Sequence, residues 1–396
     1  MPPGDRLAVQ TIEFHGDKVA FGEAGVTDEE RAAAGRETLA QRNQALLRGN
    51  RRRARRRYAH ELPDGVHFAR VWRRRALAEL RPMLTGGPLA VWGEDDDVLH
   101  VLWQGPNAQL VSGVRFPMWP VKGAADLWEL SLRVRHLDRA VIGVTAVPPG
   151  GRPVERIWHG SRAAQAPATA ARLAGTLVTR EISSVHLGER RAITVYRPPG
   201  PIRPMPLCLL ADGQAAESHA RVLEPAILAG TLPPLILAGP HAADAPGPYP
   251  DGRAREYLPY ADPRRFAAHL AFVVGEVLPG FPEASHVISA GFSDGAGFAL
   301  TAADRCPGRI AAAVALSPNL LPQLLDTSVR VPRYLAAGTL EPALLDCARS
   351  LAARLAGAGV AHRCEAWIGG HDGYWWRVHL LAALTWLARE PLPRSR

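Results

Sequence analysis

The sequence predicts an α/β protein in two parts, a domain built on a mostly parallel sheet covered by helices, preceded by a small all-β sandwich. Three observations point there. The chain, at 396 residues, exceeds what one hydrophobic core usually organises. Between residues 88 and 147, short runs of alternating apolar and polar residues are separated by Gly, Pro, Asn and Asp, the pattern of antiparallel strands. Beyond residue 176 the strand-like runs become almost wholly apolar and alternate with helical patterns. Strands buried on both faces read this way, and the alternation implies a parallel sheet with right-handed crossovers.

Taken in order, residues 1–62 form an N-terminal extension. Two short β pieces, "LAVQTIEF" and "DKVAFGEA", precede the helical pattern "TDEERAAAGRETLAQRNQALL", whose acidic start and basic end suit the helix dipole. Residues 63–150 form the sandwich, with "PLAVWGEDDDVLHVLWQG", "AQLVSGVRF", "DLWELSLRV" and "RAVIGVTAV" as its strands. The stretch 151–175 is aperiodic and rich in Ala, Pro and Arg, and reads as a linker. Residues 176–396 form the α/β domain. It opens with the hairpin "TLVTREISS"/"RAITVYRPP" and continues through "PLCLLADG", "PLILAGPH", "SHVISAGFS", "AAAVALSP" and "RYLAAGTLE". The helices between them include "PRRFAAHLAFVVGEVLPGF", "DGAGFALTAADRCP" and "ALLDCARSLAARLAGAG".

Composition narrows the function. The formal charge of +9 invites a nucleic-acid reading, and "RRRARRRYAH", with six arginines from Arg51 to Arg57, is its sharpest cluster. Yet all but two of the 47 basic residues, Lys18 and Lys122, are arginines, as a coding bias toward Arg, Ala, Gly and Pro produces. No aromatic-interleaved binding module accompanies the run, so the expectation is a solvated helix face and no nucleic-acid partner. Four cysteines lack CxxC or zinc-like spacing, and Cys208 lies in an apolar run, so neither metal nor cofactor is expected. No signal peptide and no apolar span is legible; a cytoplasmic protein without a membrane partner is expected.

The chemistry concentrates in three loops. "SAGFSDGAGFAL" places Gly291-Phe292-Ser293-Asp294-Gly295 between a β-rich run and a helical one. A nucleophile on so sharp a strand-to-helix turn takes a strained backbone conformation, and the flanking glycines let strand and helix pass closely. Ser293 is the expected nucleophile. A serine hydroxyl needs a base, and in α/β-hydrolases the order is Ser, acid, His. "RYLAAGTLEP" ends a strand at Glu341, the expected acid, with Asp346 and Asp372 as alternatives. "GGHDGYWW" then presents His371, the expected base, on a loop that its glycines free to carry an imidazole to the nucleophile. The oxyanion donors expected are the N–H of Asp294 and an N–H of Gly213 or Gln214 in "LLADGQ". A carboxylate at Asp294 would repel an anionic substrate unless it points away or meets an arginine.

Together, "LLADGQ", "RAREYLP", "GFSDGAG", "GTLEP" and "GGHDGYWWR" resemble the enterochelin (enterobactin) esterases, a branch of the esterase D-like α/β-hydrolases, over the last 220 or so residues. "VLWQG" and "DLWELSLRV" resemble the immunoglobulin-like N-terminal domain of those esterases. The resemblance implies hydrolysis of the ester bonds of an iron-loaded trilactone or similar siderophore, with Ser293, Glu341 and His371 as the triad. It also implies that Arg253, Arg255 and Trp376 line the substrate cleft. Glu256 is expected to anchor its loop by pairing with an arginine. Two features depart from the family: Asp294 stands where a bulky apolar residue is usual, and the Arg-rich extension has no counterpart. Other readings stay open. They are an acyltransferase or thioesterase-like enzyme, a carbohydrate-ester hydrolase whose sandwich binds sugar, and a binding protein that has lost catalysis.

Overall fold

The computed structural model describes residues 12–15, 18–21, 62, 64–71, 75–94, 97–201, 203–243 and 252–392. The Arg51–Arg57 run and the helix expected from residue 27 onward lie outside the described residues. The chain divides into two compact units. One comprises Met1–Gln165 with Gly338–Ala343 and Ala366–Tyr374; the other comprises Ala166–Ala337, Leu344–Glu365 and Trp375–Arg396.

The first unit is β-rich. Strands β1 (Ile12–His15) and β2 (Lys18–Phe21) form a hairpin. A larger sheet contains β3 (Phe68–Arg70), β4 (Leu89–Glu94), β5 (Val98–Gln104), β7 (Trp119–Pro120) and β8 (Leu127–Val134), in the order β3-β8-β5-β4 with β7 on β8. A three-stranded sheet, β10-β9-β6, contains β6 (Gln109–Gly113), β9 (Val141–Val147) and β10 (Val154–His159). The period-two alternation in the sequence sorts side chains by face. Leu99, Val101 and Trp103 of β5, Leu130, Leu132 and Val134 of β8, Leu110 of β6, and Ile142, Val144 and Ala146 of β9 share one buried cluster. Leu340 belongs to this cluster and Ile368 packs against it, although both are remote in sequence.

Strand β10 falls in the stretch whose aperiodic sequence suggests a linker. It pairs antiparallel with β9 from Val154↔Ala146 to His159↔Val141. Only Val154 and Trp158 pack on the core, with charged Arg156 between them, so the apolar alternation is broken. The Trp158 indole lies over Gly93, where any Cβ would come within 2.6 Å of the ring.

The second unit holds, save the last residue of β17 and the last two of β18, an eight-stranded sheet with the order β11-β12-β14-β13-β15-β16-β17-β18. The strands are β11 (Thr176–Ser184), β12 (Glu189–Arg197), β13 (Met205–Leu210), β14 (Ile236–Pro240), β15 (Ala284–Phe292), β16 (Ala312–Leu316), β17 (Arg333–Gly338) and β18 (His362–Trp367). The hairpin β11–β12 and the pair β12–β14 are antiparallel, while β14, β13, β15, β16 and β17 run parallel. The helices are α1 (Ala216–Leu228), α2 (Gly252–Tyr257), α3 (Pro263–Phe272), α4 (Asp294–Arg305), α5 (Pro342–Gly357) and α6 (Gly373–Leu387). Strands β14 and β16 are apolar throughout and all five residues of each are buried, as expected of strands covered on both faces. After β13 the chain crosses to β14 on one side, and it returns to β15 on the other. The loops after β13 and β15 therefore diverge at the sheet's switch point, where open α/β sheets place their sites.

Candidate active site

Ser293 stands at this switch point, between the last residue of β15 and the first of α4. Its backbone has φ 59° and ψ −126°, a left-handed conformation that costs a non-glycine residue roughly 1–3 kcal/mol. The conformation is held by Ser293 N–H donating to Leu316 O at 2.9 Å, and by Ser293 O accepting from Ala296 N–H (3.1 Å) and Asn319 N–H (3.3 Å). Both motif glycines are required by close approach: a Cβ on Gly291 would lie 2.1 Å from Gly295 O, and one on Gly295 would lie 2.8 Å from Asp212 Oδ2. Helix α4 starts at Asp294, so the N–H of that residue has no acceptor within its own helix.

The carboxylate that the sequence leaves unexplained has partners. Asp294 Oδ1 accepts from Asn319 Nδ2 at 2.7 Å, and Oδ2 lies 3.3 Å from Arg253 Nη1. The same guanidinium grips Asp212, two residues beyond β13, through Nε (2.7 Å) and Nη2 (2.8 Å), and donates to Phe292 O at 2.9 Å. Burial alone would pull the Arg253 guanidinium down; the carboxylates of Asp212 and Asp294 instead hold it above its ordinary range. Its face also lies over the Tyr257 and Phe292 rings, 5.1 and 5.8 Å from their centroids. Arg253 thus cross-links the loop that carries Gly213 and Gln214 to the turn that carries Ser293. Gly213 sits so close to β14 that a Cβ would lie 1.8 Å from Gly239 O, and Gln214 Oε1 accepts from Ala242 N–H at 3.0 Å.

Trp376 stacks on Phe292, with centroids 4.2 Å apart and planes 9° from parallel, and its indole N–H donates to Ser317 Oγ at 3.0 Å. His219 lies on the Phe292 ring system as well, 6.0 Å away and 4° from parallel. Arg255 pairs with Asp262 through Nε (2.9 Å) and Nη2 (2.7 Å) at a half-exposed position. Glu256 is fully buried and grips Arg191 in two hydrogen bonds, 2.7 and 2.8 Å, and Arg265 in two more. It is the anchor its sequence context suggests.

His371 and Glu341 are brought together in the β-rich unit. His371 Nδ1 donates to Glu341 Oε2 at 2.6 Å, and Oε1 of the same carboxylate accepts from Gly338 N–H at 2.7 Å. Both side chains are 4% exposed, so the contact is shielded from water. In the neutral ring this contact puts the proton on Nδ1 and the lone pair on Nε2, the arrangement a general base requires. The other two acids considered from sequence are placed differently. Asp346 is 60% exposed and 3.9 Å from Arg349. Asp372 accepts from Tyr374 N–H (3.0 Å) and Gly143 N–H (3.4 Å).

Asn319 and Ser317 escape a reading of motifs. They lie just beyond β16 in "LSPN", and the only sequence signal is polar residues at the carboxyl end of a buried strand. Among the described residues no group of His, Cys, Asp and Glu is arranged to hold a metal ion, and no helix is long and apolar enough to cross a membrane.

Strand order, switch-point serine and turn geometry define an α/β-hydrolase fold. Among solved structures the chain is similar to the enterochelin esterase from Shigella flexneri (TM-score 0.58, 16% identity, covering 79% of this chain and 98% of that one). It is also similar to the enterobactin esterase from Shigella flexneri determined in the presence of enterobactin (0.57, 18%, 76% and 95%). A third is the ferric enterobactin esterase from Salmonella typhimurium (0.57, 16%, 79% and 99%). No family model and no curated protein matches the chain. At this identity the likeness is one of fold.

Proposed function

We propose that the protein is a serine esterase, with Ser293 as nucleophile, His371 as its base and Glu341 as the acid that orients the imidazole. The observation that carries this reading is the left-handed backbone of Ser293 at the mouth of α4, a strain that an ordinary turn has no reason to retain. The 2.6 Å contact between His371 and Glu341 supports it independently. In the reaction, His371 takes the hydroxyl proton as Ser293 Oγ attacks the ester carbonyl. The tetrahedral oxyanion is stabilised by the Asp294 N–H and an N–H of the Gly213–Gln214 loop. Collapse expels the alcohol, which receives the proton from His371, and water then attacks the acyl-enzyme by the same route to release the acid.

For the substrate we propose an enterobactin-type trilactone, and for the β-rich unit the immunoglobulin-like module of the enterochelin esterases. The shared fold with those esterases over most of both chains supports both assignments. The test is hydrolysis of enterobactin, free and iron-loaded, followed by mass spectrometry. Release of 2,3-dihydroxybenzoyl-serine that disappears in Ser293→Ala is the expected result. Turnover of p-nitrophenyl butyrate alone would keep the esterase and discard the substrate, and ester products with added alcohol in place of free acid would make the enzyme an acyltransferase.

A further inference from the structure

We infer that the β-rich unit seats the catalytic base: it builds the loop carrying His371 into its own sheet and core and so sets the aim of the imidazole. This rests on the reading of His371 as general base. The segment Ala366–Tyr374 belongs to the β-rich unit, and β6 and β9 hydrogen-bond to it at Ile368, His371 and Asp372. Val141 N–H donates to Ile368 O (3.1 Å), Gly113 N–H donates to His371 O (3.0 Å), and residues Gly113 and His371 form an antiparallel bridge. Gly143 N–H donates to the Asp372 carboxylate at 3.4 Å. At Gly370 and Gly113 the backbones approach so closely that side chains are excluded, and Gly143 is tight against a side chain. A Cβ on Gly370 would lie 1.9 Å from Gly113 O, one on Gly113 would lie 1.8 Å from Gly143 O, and one on Gly143 would meet the Asp372 side chain at 3.3 Å. Gly113 also takes φ 62°, which favours glycine.

The acid partner is fixed by the same unit. Leu340, next to Glu341, lies in the core of β5, β8 and β9, and Leu340 N–H donates to Gly369 O at 2.9 Å. Thr339 N–H donates to Trp367 O (2.9 Å). The imidazole and its carboxylate are thus mounted on two segments that are hydrogen-bonded to one another, one of them stitched to β6 and β9. On this account Gly113, Gly143, Gly370 and Asp372 are positioning residues, and the β-rich unit serves the reaction itself whatever else it binds.

The experiment uses the full chain and p-nitrophenyl butyrate, with Gly370→Ala, Asp372→Ala and Asp372→Asn. A misplacement of about 1 Å costs on the order of a hundredfold in rate, so Gly370→Ala and Asp372→Ala should lower kcat roughly 10- to 100-fold with KM within about twofold. Asp372→Asn keeps one acceptor for the loop N–H groups and should fall between them and the parent. The acid limb of kcat/KM should move to lower pH in Gly370→Ala, because a looser Glu341 contact stabilises the imidazolium less. Proton NMR should show the downfield Nδ1–H resonance in the parent and lose or shift it in both alanine variants, a change that lowered stability elsewhere would not produce. Unchanged kcat, acid limb and resonance in both alanine variants, with Ser293→Ala inactive, would overturn the inference and leave the esterase standing. Full activity in Ser293→Ala or His371→Ala would instead overturn the assignment of nucleophile or base, while the resonance would still report whether the unit seats the ring.

Discussion

Ser293 concentrates strain and partners in one residue: a left-handed backbone, 3% exposure, and a turn pinned by Leu316 and Asn319. Ser293→Ala should lower ester turnover by a thousandfold or more while leaving the melting temperature near the parent's, since nucleophile and base act as a unit. Glu341→Gln should cost on the order of a hundredfold or more in kcat, because the amide cannot balance an imidazolium. Asp346→Asn, at an exposed pair that contributes little, should leave kcat within about twofold; the reverse ranking would move the acid. Removing Arg253 leaves the buried Asp212 and Asp294 carboxylates facing each other without their cation. Arg253→Met should therefore reduce kcat at least tenfold, and Arg253→Met with Asp294→Asn should recover part of the loss. Parent-like kcat in Arg253→Met would show that the cross-link is dispensable. Residues of this kind divide by legibility. The Ser293 turn and the His371 loop announce themselves because their glycines answer a local backbone demand. The partners of Asp294 do not, since Arg253 and Asn319 reach it from 41 and 25 residues away and no local pattern encodes such a meeting.

Among the elements, the buried parallel strands were the most legible, because a strand covered on both faces needs apolar residues at every position. β10 was the least. An edge strand needs only its inward residues apolar, and here Val154 and Trp158 suffice. The strand-to-helix turn gives the sharpest prediction at this scale. Gly291→Ala would force a Cβ to within 2.1 Å of Gly295 O, so β15 and α4 must separate. The change should lower the melting temperature by several degrees and abolish most activity, as overpacking costs roughly 1–3 kcal/mol or more. A thermal melt checks it, and an unchanged transition would mean the turn has slack that its backbone does not suggest.

For the molecule as a whole, the sequence shows where texture changes from alternating to fully apolar strands. It does not show that Gly338–Ala343 and Ala366–Tyr374 join the β-rich unit, because Ile368, His371 and Asp372 are bonded by Val141, Gly113 and Gly143, more than two hundred residues earlier. Stability should depend on pH through two buried histidines of the large-sheet unit. Burial pulls His219 and His269 down to about 4, below the ordinary value near 6.5. The unfolded chain therefore binds more protons between these values, and stability, full above about pH 6.5, falls as pH drops toward 4, by up to about 3 kcal/mol for each ring. Denaturant unfolding at several pH values should show this slope, and His269→Leu should flatten it; a slope unchanged in that variant would remove His269 from the account.

Whether Ser293 is a nucleophile activated by His371 is read from the rate and site of labelling by a fluorophosphonate, followed by mass spectrometry of the labelled peptide. One label is expected, on Ser293, absent in Ser293→Ala and slowed at least about a hundredfold in His371→Ala. A label on another residue, or labelling of Ser293 at the parent rate without His371, would contradict that assignment.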